Sequence, residues 1–167
     1  MLTRSATLAD ADGIDAIHAE AFGSDAEVKL VRMLEADGDV LVSLVAGIEG
    51  VRVGHVLFSR MTVTADGKSV VAAGLAPVGV LPSYQGLGIG SALIRDGLAR
   101  LPAFGVRLCF VLGRPNYYPR FGFRVEAAAP YESPYAGPHF MALALDSALP
   151  LPERGRADYA PAFARIG

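Results

Sequence analysis

Val78-Gly79-Val80-Leu81-Pro82-Ser83-Tyr84-Gln85-Gly86-Leu87-Gly88-Ile89-Gly90-Ser91 reads as the end of a strand, a stop, a glycine turn and the mouth of a helix. The Val- and Ala-rich run from Val70 to Val80 has the composition of a buried strand. Pro82 has no N–H to give a ladder, so pairing should end there. Glycines at 86, 88 and 90 let the backbone turn tightly and leave room for a ligand to approach it. From Ile89 onward the apolar residues fall at 89, 93, 94, 98 and 101, which is helical spacing. A glycine turn opening a helix presents unpaired amides at the positive end of the helix dipole. That is a site for an anion, most naturally a phosphate or pyrophosphate.

Two phosphate signatures are absent. No G-x-x-x-x-G-K-[ST] occurs, and G-x-G-x-x-G fails because Ser91 or Leu93 stands where the third glycine belongs. The stretch does contain Gln85-x-x-Gly88-x-Gly90, preceded by Val80-x-Pro82. This resembles the pyrophosphate loop, Q/R-x-x-G-x-G/A, of the GNAT superfamily of N-acetyltransferases. Downstream, Gly105 to Leu112 reads as a second buried strand, followed by Tyr117-Tyr118-Pro119-Arg120-Phe121-Gly122-Phe123. Tyr118-x-x-x-Gly122-Phe123 is similar to that superfamily's second signature, Y-x-x-x-G-F. The doubled tyrosine and Arg-Phe-Gly-Phe look most like its YhbS-like branch.

The resemblance implies a mixed α/β acyl-CoA N-acyltransferase fold, with a mostly antiparallel central sheet splayed between strands 4 and 5 and flanked by helices. It implies acetyl-CoA as co-substrate, held by Val78, Val80, Gln85, Gly86, Leu87, Gly88, Ile89, Gly90 and Ser91. In such enzymes the pantetheine arm pairs with the fourth strand, here around Val78 to Val80. Pro77 and Gly79 are consistent with a bulge that parts this strand from the fifth. The resemblance also makes Tyr118 the general acid for the departing thiolate. A phenol with an ordinary pKa near ~10 is protonated at neutral pH and able to give that proton. Tyr117, where the family carries an apolar residue, is expected to face the core.

The base is not legible by the same route. An amine with a pKa around ~10.4 is mostly charged at pH 7, and freeing it costs roughly 4–5 kcal/mol. Many such enzymes use a fourth-strand glutamate, but residues 70–77 hold no carboxylate. Glu20, Asp25 and Glu27, near the join of the first two helices, are the alternatives, with Glu20 selected. His55 and His139 read more readily as structural histidines. A second departure is the short link from Leu112 to Tyr118, where Asn116 stands away from the family's cofactor-contacting asparagine.

The 167 residues suit one domain, 1–167, with no repeats or linkers, and 52% hydrophobic residues argue against disorder. Without a long apolar run or a basic-then-apolar N-terminus, neither a membrane span nor a signal peptide is expected. One cysteine, Cys109 in an apolar strand, reads as a packed core thiol and suits a reducing cytoplasm. The net charge of −2 hides ten acids against three bases in residues 1–50, and six arginines against one aspartate in 85–125. Either this is ordinary surface charge, or a basic half meets an anionic cofactor and an acidic half a cationic acceptor. With no basic stripe, nucleic acid is not an expected partner. No metal site is expected.

In chain order, Leu2–Ala6 reads as a strand. A helix capped at Thr7-Leu-Ala-Asp10 should end at Gly23, and a second should open on the capping box Ser24–Glu27 and close at Asp37-Gly38. Residues 40–48 and 51–63 form a hairpin across Glu49-Gly50, and Asp66-Gly67 turns into the long strand. Residues 124–127 and 139–145 are strand candidates, 128–138 a loop able to wall a substrate site, and 150–167 irregular around Tyr159–Phe163.

The function implied is transfer of an acetyl group to a primary amine of a small molecule or peptide, by a monomer or homodimer. A non-catalytic acyl-CoA sensor or interaction module is the alternative.

Overall fold

The computed structural model describes residues 1–166. Along the chain come β1 (Leu2–Ser5), α1 (Ala11–Phe22), α2 (Ala26–Asp37), β2 (Val40–Ile48), β3 (Val51–Ala65), β4 (Lys68–Val80) and α3 (Ile89–Arg100). Then follow β5 (Leu108–Leu112), α4 (Val125–Ala128), β6 (Tyr131–Glu132), β7 (Phe140–Ala144), β8 (Gly155–Asp158) and α5 (Ala162–Arg165). Hydrogen bonds order the strands β1-β2-β3-β4-β5-β7, with β8 joined to β3 and to β6. The β1–β2, β2–β3, β3–β8 and β5–β7 pairs are antiparallel; β4–β5 and β6–β8 are parallel. This is the mixed, mostly antiparallel arrangement expected. Residues 1–59, 76–100 and 161–166 form one compact unit, and residues 60–75 and 101–160 a second.

In the first unit, Ile14 and Ile17 of α1 and Leu30, Val31 and Leu34 of α2 are buried. Both helices end on a left-handed glycine, Gly23 at φ 67° and Gly38 at φ 74°. The β2–β3 hairpin turns on Glu49 and Gly50, both with positive φ. Its inward residues Leu44, Val56 and Phe58 are buried, as are Leu93 and Ile94 of α3, which packs on β2. Full burial of each such side chain contributes about 1.5–3 kcal/mol. The expected capping box at Ser24 does not form. Asp25 is the N-cap of α2, and the Ser24 hydroxyl reaches the Glu27 carboxylate at 3.4 Å instead of a backbone amide.

Much of the N-terminal acid is absorbed by ion pairs in this unit. The buried Asp10 carboxylate accepts from Arg4 at 2.7 Å, from Arg52 at 2.6 Å and from the Thr7 amide at 2.7 Å. Asp15 pairs with Arg32, and Asp37 with Arg165.

The second unit is built on Met61, Val63, Val70, Leu108, Phe110, Tyr131 and Phe140. Phe110 stacks on Phe140 and meets Tyr131 edge-on, each at 5.2 Å between centroids. Cys109 is buried there, and burial pushes its thiol well above the ordinary range. Several elements differ from the sequence expectation. Residues 125–128, rich in Ala and Glu, form α4 rather than a strand, and only Arg124 bridges to Ala142. The loop 128–138 contains the short β6, and the tail contains β8. Strand β3 runs past Val63 to Ala65, and that extension gives β8 its antiparallel partner. Strand β5 starts at Leu108, not Gly105, because Gly105 turns at φ 77°.

β5 pairs with β4 only at residues 72–74, while β4 continues to Val80. That early end of the parallel ladder is the splay expected of strands 4 and 5. Among the described residues, no helix is long and apolar enough to cross a membrane.

Candidate active site

Strand β4 delivers the chain to the glycine turn of the first unit. Val78 and Val80 are half-buried near its end, with Gly79 buried between them. The Leu81 amide still donates to the Val53 carbonyl at 2.9 Å, and Pro82–Tyr84 then makes a single 3-10 turn. The exposed Gln85 turns its side chain back, its amide donating to the Val80 carbonyl at 3.0 Å. Gln85 thus closes the loop on the strand that feeds it.

Gly86 and Gly88 have φ of 79° and 81°, the left-handed region where a Cβ is strained. A Cβ built on either would project into open space, with nothing within 4 Å. The Ala92 amide donates to the Gly88 carbonyl at 3.0 Å, opening the ladder of α3. The helix dipole makes this end attractive to anions. Leu87 is exposed, whereas Ile89 is buried and anchors the helix. The predicted residues 78, 80 and 85–91 therefore come together as one strand–turn–helix.

Tyr118 belongs to the second unit, at the start of a 3-10 turn running to Phe121. Its ring lies over Gly113, where a Cβ would come within 2.3 Å of it, so no larger residue fits there. Tyr117 and Phe123 meet that ring edge-on at 5.0 and 6.0 Å. Gly113, Arg114, Tyr117 and Tyr118 line an open cleft of about 360 Å³. Burial, and then Tyr117, push the Tyr118 phenol up to about 12, so it is protonated at neutral pH. Tyr117 is not in the core as expected: it is half-exposed, with the Arg120 guanidinium 4.4 Å from its ring centroid.

The carboxylate candidates are spread over the surface. Glu20 is exposed on α1, Asp25 is exposed and pairs with Lys29, and Glu27 meets Ser24. His139 is exposed and lies 3.2 Å from the Gly113 carbonyl. His55 is fully buried and lies 2.7 Å from a second buried histidine, His18, which the sequence reading did not single out. Its signal was available: His18 sits on the same apolar helical face as Ile14 and Ile17.

Residues 3–125 match the family model described as an acetyltransferase (GNAT) domain. The chain belongs to the GNAT acetyltransferases. This GNAT chain is 42% identical over 132 residues to the uncharacterized N-acetyltransferase YjhQ of Escherichia coli K12, covering 77% of this chain and 73% of that one. It is 41% identical over 128 residues to YhbS of the same strain, covering 76% and 75%. Among solved structures, E. coli YhbS in complex with CoA superposes with a TM-score of 0.86 at 34% identity, over 99% of this chain and 93% of that one. A Brucella melitensis GNAT acetyltransferase in complex with acetyl-CoA gives 0.79 at 35% identity, over 97% of both chains.

Proposed function

We propose that this GNAT chain works as a single domain that transfers an acetyl group from acetyl-CoA to a primary amine of a small molecule or peptide. The observation that carries the reading is the turn at Gly86 and Gly88, left-handed, open and leading directly into α3. The turn fits a diphosphate, since backbone amides can approach its oxygens without a Cβ between them. Relatives solved with CoA and acetyl-CoA support the same ligand here.

Acetyl-CoA supplies the acyl group as a thioester. The chain's own parts then divide the work. Amides of residues 86–91 hold the diphosphate, and Gln85 keeps the turn closed. The backbone at Val78 and Val80 is the part of β4 that would align the pantetheine arm and polarise the carbonyl. Tyr118 keeps its proton at neutral pH and gives it to the leaving thiolate. Glu20, exposed on α1, is the carboxylate this reading offers for the amine's proton. A single buried thiol suits work in a reducing cytoplasm.

The carboxylate-free stretch of β4 from Val70 to Pro77 favours a second reading, an acyl-CoA sensor without turnover. One assay separates the two: free thiol release from acetyl-CoA over a panel of amines, amino acids and peptides, with binding measured by calorimetry. The enzyme reading expects amine-stimulated thiol release. Tight binding with none from any amine would favour the sensor.

A further inference from the structure

The first unit holds a buried polar chain that the loop and Tyr118 do not use. His18 Nε2 of α1 lies 2.7 Å from His55 Nδ1 of β3, and His55 Nε2 lies 2.8 Å from the Ser43 hydroxyl of β2. Both rings are fully buried, while Ser43 is partly exposed. At the far end, His18 Nδ1 is buried with no hydrogen-bond partner. It faces β4: a Cβ on Gly79 would come within 2.8 Å of that nitrogen. Gly79 lies between Val78 and Val80, the two strand residues assigned to the thioester arm. Phe22, 45% exposed, lies stacked on the His18 ring at 5.9 Å.

An orphaned buried nitrogen is costly, by about 1–3 kcal/mol, and invites a functional account. Burial lowers the pKa of both rings, more than the opposing pulls of Asp15 on His18 and Asp10 on His55 can offset. A lone buried imidazole would therefore be a poor place to leave a proton. A chain of two rings and a hydroxyl removes that difficulty, because each nitrogen that receives a proton can release one from its other side.

We propose that His18 accepts the proton lost by the acceptor amine, and that His55 and Ser43 relay it outward. This rests on the acetyltransferase reading and puts His18 in the place of Glu20 as its base. The amine nitrogen forms its bond to the acyl carbon with its lone pair, and the C–S bond breaks with its pair on sulfur. Tyr118 protonates that sulfur. The proton leaving the amine goes to His18 Nδ1, and His18 passes its Nε2 proton to His55 Nδ1. His55 passes its own Nε2 proton to Ser43 Oγ, whose hydroxyl proton leaves for solvent. Every ring finishes neutral. The route takes the place of the carboxylate missing from β4, and Gly79 is the position where an added side chain would block it.

The relay makes a demand on the protein without ligand. His18 Nδ1 can accept only if both rings carry their protons on Nε2. Histidine nitrogen NMR at neutral pH should therefore find two buried neutral rings of that tautomer. Protons on Nδ1 of both rings, or a charged ring, would overturn the proposal. The kinetic test uses acetyl-CoA with ethylamine, glycinamide and a tripeptide with a free N-terminus, scored by thiol release. With the amine that wild type uses, His18→Gln and His55→Gln should each lose at least about tenfold in turnover at pH 7, while acetyl-CoA affinity stays within about threefold. The deficit should shrink as pH rises and the amine deprotonates itself. Ser43→Ala, which removes no buried ring, should show a smaller loss of the same kind. Wild-type turnover in His18→Gln, or a loss confined to Glu20→Gln, would overturn the relay. Acetyl-CoA binding without thiol release from any amine in the wild type would overturn the enzyme reading and the relay with it.

Discussion

The side-chain amide of Gln85 donates to the carbonyl oxygen of Val80 at 3.0 Å. One residue ends β4 and the other begins the glycine turn, so this bond sets the angle at which the strand hands the chain to α3. Replacing Gln85 by Ala should leave the fold intact, because the side chain is exposed. A net hydrogen bond of about 0.5–1.5 kcal/mol corresponds to roughly a two- to twelvefold weaker Kd for acetyl-CoA. Calorimetry on the variant checks it; unchanged affinity would mean the turn needs no brace.

Gly88→Val acts on backbone conformation. At φ 81° a β-branched residue is strained by about 1–2 kcal/mol, and its side chain would project into the open face of the turn. Acetyl-CoA affinity should fall at least about tenfold while far-UV circular dichroism is preserved. Wild-type affinity in that variant would remove the turn from the binding site.

Tyr118→Phe keeps the ring over Gly113 and removes only the hydroxyl that carries the proton. Turnover should fall at least about tenfold with acetyl-CoA affinity unchanged. Because burial holds the phenol near 12, its protonated form persists across the ordinary alkaline range. Wild-type activity should therefore show no loss from this group below about pH 10. Full activity in the Phe variant would end its assignment as general acid.

Acid should destabilise the fold through the histidine pair before it reaches the carboxylates. Both rings have folded pKa values below their unfolded one, so the unfolded chain binds more protons as pH falls. That contribution to stability is complete above about pH 6.5 and is lost on descending from there towards the lowered folded values. Asp10 joins later: the hydrogen bonds from Arg4 hold its carboxyl far below the usual range, so its share is lost only below about pH 4. Urea midpoints should fall between pH 7 and pH 5 in the wild type and fall less in His55→Gln. A flat wild-type profile over that interval would contradict burial of the pair as neutral rings.

Where local chemistry alone decides a feature, the sequence was a good guide. The Glu49-Gly50 and Asp66-Gly67 turns, the left-handed ends at Gly23 and Gly38, and the β4–turn–α3 run all follow from residues adjacent in the chain. Features that depend on distant partners were not readable in the same way. Strand β8 exists because β3 extends to Ala65 and offers an edge; the alternation of Gly155-Arg156-Ala157-Asp158 is only four residues long and holds no β-branched or aromatic residue to announce it. Ser24 and Glu27 have capping spacing, but the backbone places Asp25 at the cap, so spacing alone misled. The candidate site divides the same way. Gln85, Gly86 and Gly88 were evident from their motif. The His18–His55 contact joins residues 37 apart, and only folding places α1 against β3 at that point.

The most direct test of the central claim is a crystal structure of this protein grown with acetyl-CoA. The account predicts the diphosphate oxygens within hydrogen-bond distance of backbone amides in residues 86–91, at the mouth of α3. A diphosphate bound elsewhere on the chain, with that turn contacting no part of the ligand, would contradict it.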